Sequence, residues 1–315
     1  MYDVYQETWN TLTGPDTPFE VVEIEVRNST MRVYKNAPLS LREIWLSSLI
    51  HAERDYLVYG DEHWTYAEVH VQVASIANWM ADQGIKSGDR VAISMRNYPE
   101  WLMIYWACVS TGVAVVGMNA WWVEDEMAYG LADSSPKVLF CDEERLNRFR
   151  NIRDKFAGLA TVGVRLEESR SDTIDFAEVL KIGGELPDIS VDPDQDACIF
   201  YTSGTTGYPK GAQLTHRGCI HNIMNMSFGG QLALLTSCKM NNLEPPDPKD
   251  AQPMIALVTT PLFHVAANNC LAHPATRGGG KLVLMYRWDA GEALKLIEAE
   301  RISILSGVPV MSREL

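Results

Sequence analysis

Positive charge is scarce in this sequence: 27 lysines and arginines stand against 41 aspartates and glutamates, a formal net charge of −14 over 315 residues. That balance excludes a broad nucleic-acid surface, which needs a basic face. It leaves anionic small ligands open, because a few local donors hold a phosphate even on an acidic protein. Closely spaced cysteines are missing too. Cys108, Cys141, Cys198, Cys219, Cys238 and Cys270 are scattered without a C-x-x-C pair, so neither a zinc site nor a redox dithiol is signalled. Their scatter fits reduced thiols of a cytosolic protein better than a disulfide framework. No apolar run reaches the roughly 18 residues needed to span a bilayer; the longest, around Trp101 to Val116, is broken by Cys, Ser, Thr and Gly. The first thirty residues carry Pro15, Pro18 and acidic residues in place of the basic start and apolar run of a secretory leader. The expectation is a cytoplasmic protein with no transmembrane segment, peripheral membrane association being left open.

What is present is a large apolar fraction, 46%, with 22% charged residues, enough for a sizeable core in one large or two medium domains. Ser40-Leu41-Arg42-Glu43 and Thr65-Tyr66-Ala67-Glu68 fit capping boxes. The first opens a helical pattern through Leu49, and the second a helix to about Gln83, stopped by Gly84. Between them, Tyr56–Tyr59, a Gly60-Asp61 turn and His63-Trp64 predict a hairpin. Strand and helix then alternate: strands at 91–95, 113–116, 138–141 and 161–164, helices at 99–110, 124–132 and 142–156. Such alternation implies crossover units and a mostly parallel sheet covered by helices, an α/β fold. Residues 167–190 predict a polar surface excursion and Asn241–Pro253 a loop, followed by strands at 254–259, 281–285 and 302–305 and a helix at 289–300. Ser306-Gly307-Val308-Pro309 opens a further element that stops at Leu315, so the sequence reads as the front part of a longer chain.

One stretch carries chemistry: Tyr201-Thr202-Ser203-Gly204-Thr205-Thr206-Gly207-Tyr208-Pro209-Lys210-Gly211, after the apolar run Ala197–Phe200 and before a helix from about Thr215 or Arg217. The hydroxyls are short-range donors. Gly204 and Gly207 permit backbone conformations that turn amide N–H groups toward an anion, Pro209 stiffens the exit, and Lys210 brings a full positive charge. Together they make a polyphosphate cradle; taken alone, the run equally describes a Ser/Thr/Gly-rich surface turn. It is not G-x-x-x-x-G-K-[ST], since Pro209 stands in place of the second glycine and no Ser or Thr follows Lys210, nor is it G-x-G-x-x-G.

Residue for residue, the stretch is similar to the signature loop of the adenylate-forming superfamily, which includes acyl-CoA synthetases, luciferases and peptide-synthetase adenylation domains. Asp89–Ile93 with Asn97–Trp101, Gly112–Gly117 with Asn119, Pro261-Leu262-Phe263-His264 and Ser306–Pro309 resemble further core motifs, so the resemblance runs from about residue 38 to the end. It implies a layered αβαβα N-terminal domain of mostly parallel sheets, incomplete here. One α/β subdomain would cover about 66–230, part of a second about 30–65 plus 250–315, and the small C-terminal domain would be absent. It implies that Thr202, Ser203, Gly204, Thr205, Thr206, Gly207 and Lys210 surround the ATP β- and γ-phosphates, that a loop threonine, Thr205, helps hold Mg²⁺, and that Lys210 and His264 are catalytic, the Phe263–His264 pair lying between nucleotide and carboxylate pocket. A glycine commonly follows that histidine in the family; here Val265-Ala266-Ala267 does.

The reaction implied is ATP-dependent ligation of a carboxylic acid to coenzyme A through an acyl-adenylate. Asn97–Trp101 and Asn119–Trp122 look most like medium- or long-chain acyl-CoA synthetases. An acyl-AMP ligase, a luciferase-like enzyme, an amino-acid adenylation domain or a non-catalytic nucleotide-binding fragment are the alternatives, and a homodimer is left open. The sequence has no Tyr-Gly-x-Thr-Glu segment and no ribose-binding aspartate motif, so the 315 residues alone are expected to complete neither half-reaction. Elsewhere the plainer expectation prevails: Gly278-Gly279-Gly280-Lys281 is a turn, Trp101, Trp106, Trp121 and Trp122 serve packing, and His216 and His221 are surface or capping residues.

Overall fold

Leu12, Phe19, Val26 and Val33 are buried apolar residues in an otherwise polar N-terminal stretch. They are covered by folding a helix, α1 (Tyr2–Thr13), and an antiparallel hairpin, β1 (Val21–Val26) with β2 (Ser29–Tyr34). The computed structural model describes residues 2–202 and 207–315. The hairpin turn places Arg27 and Asn28 at φ of 49° and 61°, the left-handed pair that a two-residue turn requires. An arginine in that place is why the sequence carries no clear hairpin signal.

Helix α2 (Leu41–Ser48) starts where expected, but only part of its capping box forms. Ser40 makes no side-chain cap, while the Glu43 carboxylate accepts from Leu39 N at 2.9 Å. Strands β3 (Asp55–Tyr59) and β4 (Glu62–Thr65) form the expected hairpin. The Thr65 box opening α3 (Tyr66–Asp82) is complete: its hydroxyl accepts from Glu68 N at 3.2 Å and its own N–H donates to Glu68 Oε2 at 2.8 Å.

The alternation continues through β5 (Arg90–Ser94), α4 (Pro99–Ser110), β6 (Ala114–Gly117), α5 (Glu124–Ser134), β7 (Val138–Asp142), α6 (Glu143–Arg150) and β8 (Ala160–Val164). The helix predicted to Phe156 ends at Arg150, and Arg153–Phe156 is a tighter 3₁₀ turn. Residues 167–190 are more than a surface excursion. They add β9 (Ile174–Asp175) to the sheet edge and α7 (Phe176–Leu180), which buries Phe176 and Val179. Next come β10 (Asp196–Thr202), β11 (Lys210–Thr215) and the long α8 (His216–Asn241); β11 was not foreseen. The chain closes with β12 (Ile255–Val258), a helical run of α9 (Val265–Ala267), a π turn (Asn268–Ala272) and α10 (His273–Arg277), then β13 (Lys281–Leu284), α11 (Ala290–Glu300), β14 (Ile304–Ser306) and α12 (Pro309–Glu314). Gly278–Gly280 is the expected turn, Gly279 at φ 65°.

Two sheets result. One runs β11-β10-β6-β5-β7-β8-β9 and is parallel except for β11; the other runs β14-β12-β13-β3-β4 and is parallel except for β4. The fold is α/β with mostly parallel sheets flanked by helices. Helix α4 touches β5 and β6 of the first sheet and β3 of the second, and every one of its residues but Glu100 is buried. That is why its sequence is apolar on all sides and not amphipathic. Helices α5 and α6 cover the far face of the first sheet, with Trp122, Met127, Leu131, Leu146 and Phe149 in the interface; α11 covers the far face of the second through Ala293, Leu296 and Ile297. No helix among the described residues is long and apolar enough to cross a membrane.

Candidate functional site

The hydroxyl- and glycine-rich stretch lies at the turn of the antiparallel hairpin β10–β11, with Thr202 paired to Lys210 at its mouth. β10 is central enough to be buried from Ala197 to Tyr201; β11 is an edge strand, which is why Lys-Gly-Ala-Gln-Leu-Thr looks too polar to be one. Ser203, Gly204, Thr205 and Thr206 lie outside the described residues. Thr202 Oγ1 donates to Lys210 O at 3.4 Å, and Gly207 sits at φ 98°, a conformation suited to glycine.

The hairpin opens onto a cleft of about 710 Å³. Tyr201, Thr202, Gly207 and Pro209 form one side, Asn119, Trp121, Trp122 and Glu126 another, and His264 the third. Thr202, Gly207 and His264, singled out in the sequence, therefore share one cavity. Lys210 is exposed and does not line it.

His264 caps α9 from an extended conformation. Its N–H donates to Pro261 O at 3.1 Å, and its carbonyl accepts from Asn268 N at 3.0 Å. The ring stands 4.8 Å from that of Phe263. Its outer edge is exposed, but neighbouring protein displaces enough water to lower the imidazole below its ordinary range. Phe263 is buried and meets Trp121 edge-on at 5.4 Å. The Arg96 guanidinium lies 4.7 Å over the other side of Trp121 and donates from Nε and Nη2 to Tyr286 O. Trp121 is held by Asn119 Oδ1, which accepts its N–H at 2.9 Å. Of the four tryptophans expected to serve packing, Trp101, Trp106 and Trp122 are buried, but Trp121 is 52% exposed and separates the cleft from a second cavity of about 260 Å³ lined by Arg96, Thr260, Phe263 and Tyr286. Arg96 drew no attention in the sequence; no local pattern marks an arginine whose partners are 25 and 190 positions away.

The residues packed around the segment after His264 include buried polar groups. Tyr105 and His273 share a 2.8 Å hydrogen bond, and Asn269 Nδ2 donates to Cys219 Sγ at 3.2 Å, which ties the π turn after His264 to α8. His216 is fully buried, not a surface residue. Burial holds its imidazole down at about 4, and that of His273 at about 3. His221 is partly buried: Nε2 accepts from Tyr34 N, so Nδ1 carries the proton and donates to Arg217 O. The six cysteines are free and only Cys270 is exposed.

No group of three or more His, Cys, Asp or Glu side chains gathers as a cation cage among the described residues. The acids near the hairpin are committed, Glu126 accepting from Val123 N at 3.0 Å and Asp133 from Tyr201 Oη at 2.7 Å. Among the described residues the hairpin mouth offers the Thr202 hydroxyl, exposed Lys210 standing opposite it in the ladder; a magnesium ion carried on phosphate oxygens needs only one or two protein oxygens.

Comparison with known proteins gives this arrangement a context. The family model described as AMP-binding enzyme matches residues 49–315. Feruloyl-CoA synthase of Amycolatopsis sp is 33% identical over 253 residues, 80% of this chain and 45% of that protein. 4-Coumarate–CoA ligase CCL1 of Humulus lupulus is 25% identical over 246 residues, 78% and 42% respectively. The chain thus spans about half the length of the curated relatives it matches. Among solved structures, the N-terminal domain of FACL13 from Mycobacterium tuberculosis aligns with a TM-score of 0.73 at 24% identity, covering 87% of this chain and 64% of that one. The anthranilate CoA ligase AuaEII in complex with anthranoyl-AMP aligns at 0.74 with 20% identity, covering 88% and 51%. With its hairpin turn, its Pro-Leu-Phe-His segment and this match over most of its length, the chain belongs to the AMP-binding enzyme family.

Proposed function

We propose that this chain carries the nucleotide-binding part of an ATP-dependent carboxylate–CoA ligase. The observation that carries the reading is the shared cleft: the mouth of the β10–β11 hairpin and His264 both line it. The triphosphate tail lies at the hairpin, where Thr202, Ser203, Gly204, Thr205, Thr206 and Gly207 supply hydroxyl and amide donors and Lys210 a full positive charge. A carboxylate oxygen of the acid attacks the α-phosphorus, the bond from that phosphorus to the bridging oxygen breaks, and pyrophosphate leaves. The hairpin's task is to neutralise the departing pyrophosphate and hold it in line. In the second half-reaction the sulfur of coenzyme A attacks the acyl carbon and AMP departs.

Magnesium, held through Thr205 and the phosphate oxygens, would supply further charge neutralisation. His264, with Phe263 and Trp121, forms the wall between nucleotide and acid and orients the acid carboxylate. The relatives named for feruloyl and 4-coumarate draw the substrate toward an aromatic acid, in place of the medium- or long-chain acyl group suggested by Asn97–Trp101.

The test is calorimetric titration of the purified chain with Mg·ATP. Binding that Lys210→Ala weakens about tenfold or more supports the reading; equal affinity of the two proteins, or no binding by either, overturns it. Pyrophosphate release by the whole ligase, measured with ferulate and with decanoate, with and without coenzyme A, then assigns the acid.

A further inference from the structure

Both arms of the hairpin rest on one face of α5. On the incoming arm the Tyr201 hydroxyl donates to Asp133 Oδ2 at 2.7 Å, and its ring meets Trp122 edge-on at 5.1 Å. On the outgoing arm Tyr208 stacks on Tyr129 with ring centroids 5.0 Å apart and 29° between planes. Tyr129 and Asp133 are four residues apart on a helix, hence neighbours on the same face. The two anchors differ in kind. Tyr201 is buried and its contact is part of the core, whereas Tyr208 is 67% exposed and immediately precedes Pro209 and Lys210.

We propose that Tyr129 and Tyr208 are positioning residues for Mg·ATP: their stack fixes the direction in which the outgoing arm leaves the cleft and, through the stiff Pro209, where Lys210 stands. This deepens the proposed nucleotide site and rests on it. An aromatic pair adds a modest increment beyond burial, equivalent to roughly a threefold to tenfold change in an equilibrium. Such a contact sets a preferred geometry without being required for folding. It acts through ring faces alone, so phenylalanine substitutes for tyrosine at either position.

The experiment titrates the chain with Mg·ATP as wild type, Y129A, Y208A, Y208F and the Y129A/Y208A double variant, and records backbone amide resonances of Gly207 and Lys210 without nucleotide. The expected result is a threefold to tenfold loss of affinity in each alanine variant and in the double variant alike, with Y208F within twofold of wild type. The Gly207 and Lys210 amides shift in Y129A although that residue is distant in sequence. Losses below twofold, additive losses in the double variant, or a Y208F as weak as Y208A would overturn the proposal. Were the wild type to bind no Mg·ATP, the nucleotide site itself would fail; unmoved amides in Y129A would then independently refute the positioning role.

Discussion

Leu41 donates its backbone N–H to Nδ1 of His216, 3.2 Å away and 175 residues later in the chain. The contact ties the first residue of α2 to the first residue of α8, directly after the β10–β11 hairpin. It also fixes the protonation state, because Nδ1 accepts only while it carries no proton. His216 is therefore neutral when folded, with its pKa held down at about 4. An unfolded histidine takes up a proton below about 6.5, so the stabilisation is complete above that pH and is lost as pH falls from 6.5 through 4. Linkage puts the loss from His216 at about 2 kcal/mol by pH 4.5, and His273 adds in the same direction. Urea midpoints at pH 7.5, 6.0 and 4.5 should fall steadily, and His216→Asn should flatten the profile; a wild-type midpoint constant across that range contradicts this account.

Gly117 ends β6, packed between Phe200 and Phe263. A Cβ there would stand 2.5 Å from two ring atoms of Phe200 and 3.3 Å from Phe263 Cα. Gly117→Ala should cost about 1–3 kcal/mol through overpacking and should weaken Mg·ATP binding by displacing the Phe263–His264 segment. Chemical denaturation and calorimetry on the same variant check both effects.

Arg165 joins the two sheets. Its guanidinium pairs bidentately with Glu62 at 2.7 and 2.6 Å, reaches Glu100 Oε2 at 3.0 Å, and lies over the rings of Tyr59 and Tyr98. Burial pushes the Glu100 carboxyl up while Arg165 pulls it back. Without the arginine that carboxyl rises further, and the folded state must retain a proton that the unfolded chain releases above about pH 4.3. Arg165→Ala should therefore cost about 2 kcal/mol at pH 8 and distinctly less at pH 4.5. A deficit independent of pH would assign the loss to packing over the tyrosines alone.

The Thr65 capping box is complete, with reciprocal bonds of 3.2 and 2.8 Å to Glu68. Thr65→Ala should cost about 1 kcal/mol, whereas Ser40→Ala, at a cap with no side-chain bond, should change the thermal midpoint little. Paired melting curves of the two variants separate a capping effect from a general effect of losing a hydroxyl.

What was legible in the sequence was what local physics decides. The alternation of β-branched runs with helices gave the parallel sheet, Thr65 and Glu68 the start of α3, Pro99 the start of α4, and Ala197–Phe200 the strand that leads into the hydroxyl–glycine–lysine run. What escaped depends on partners far along the chain. β11 is polar because it is an edge strand that needs only β10. The N-terminal hairpin turns on Arg27 and Asn28, residues seldom read as a turn pair. His216 looks like a helix-start residue until Leu41 and the buried interior around it are in place, and Arg96 acquires its role only from Trp121 and Tyr286.

Helix α4 spends nearly its whole circumference on neighbours, touching both sheets and leaving only Glu100 partly open to water. It thus works as a keystone: neither wall of the cleft can drift without pressing on the same dozen side chains. The rim is under no such constraint: Trp121, 52% exposed, can be exchanged without altering how far apart the two sheets stand.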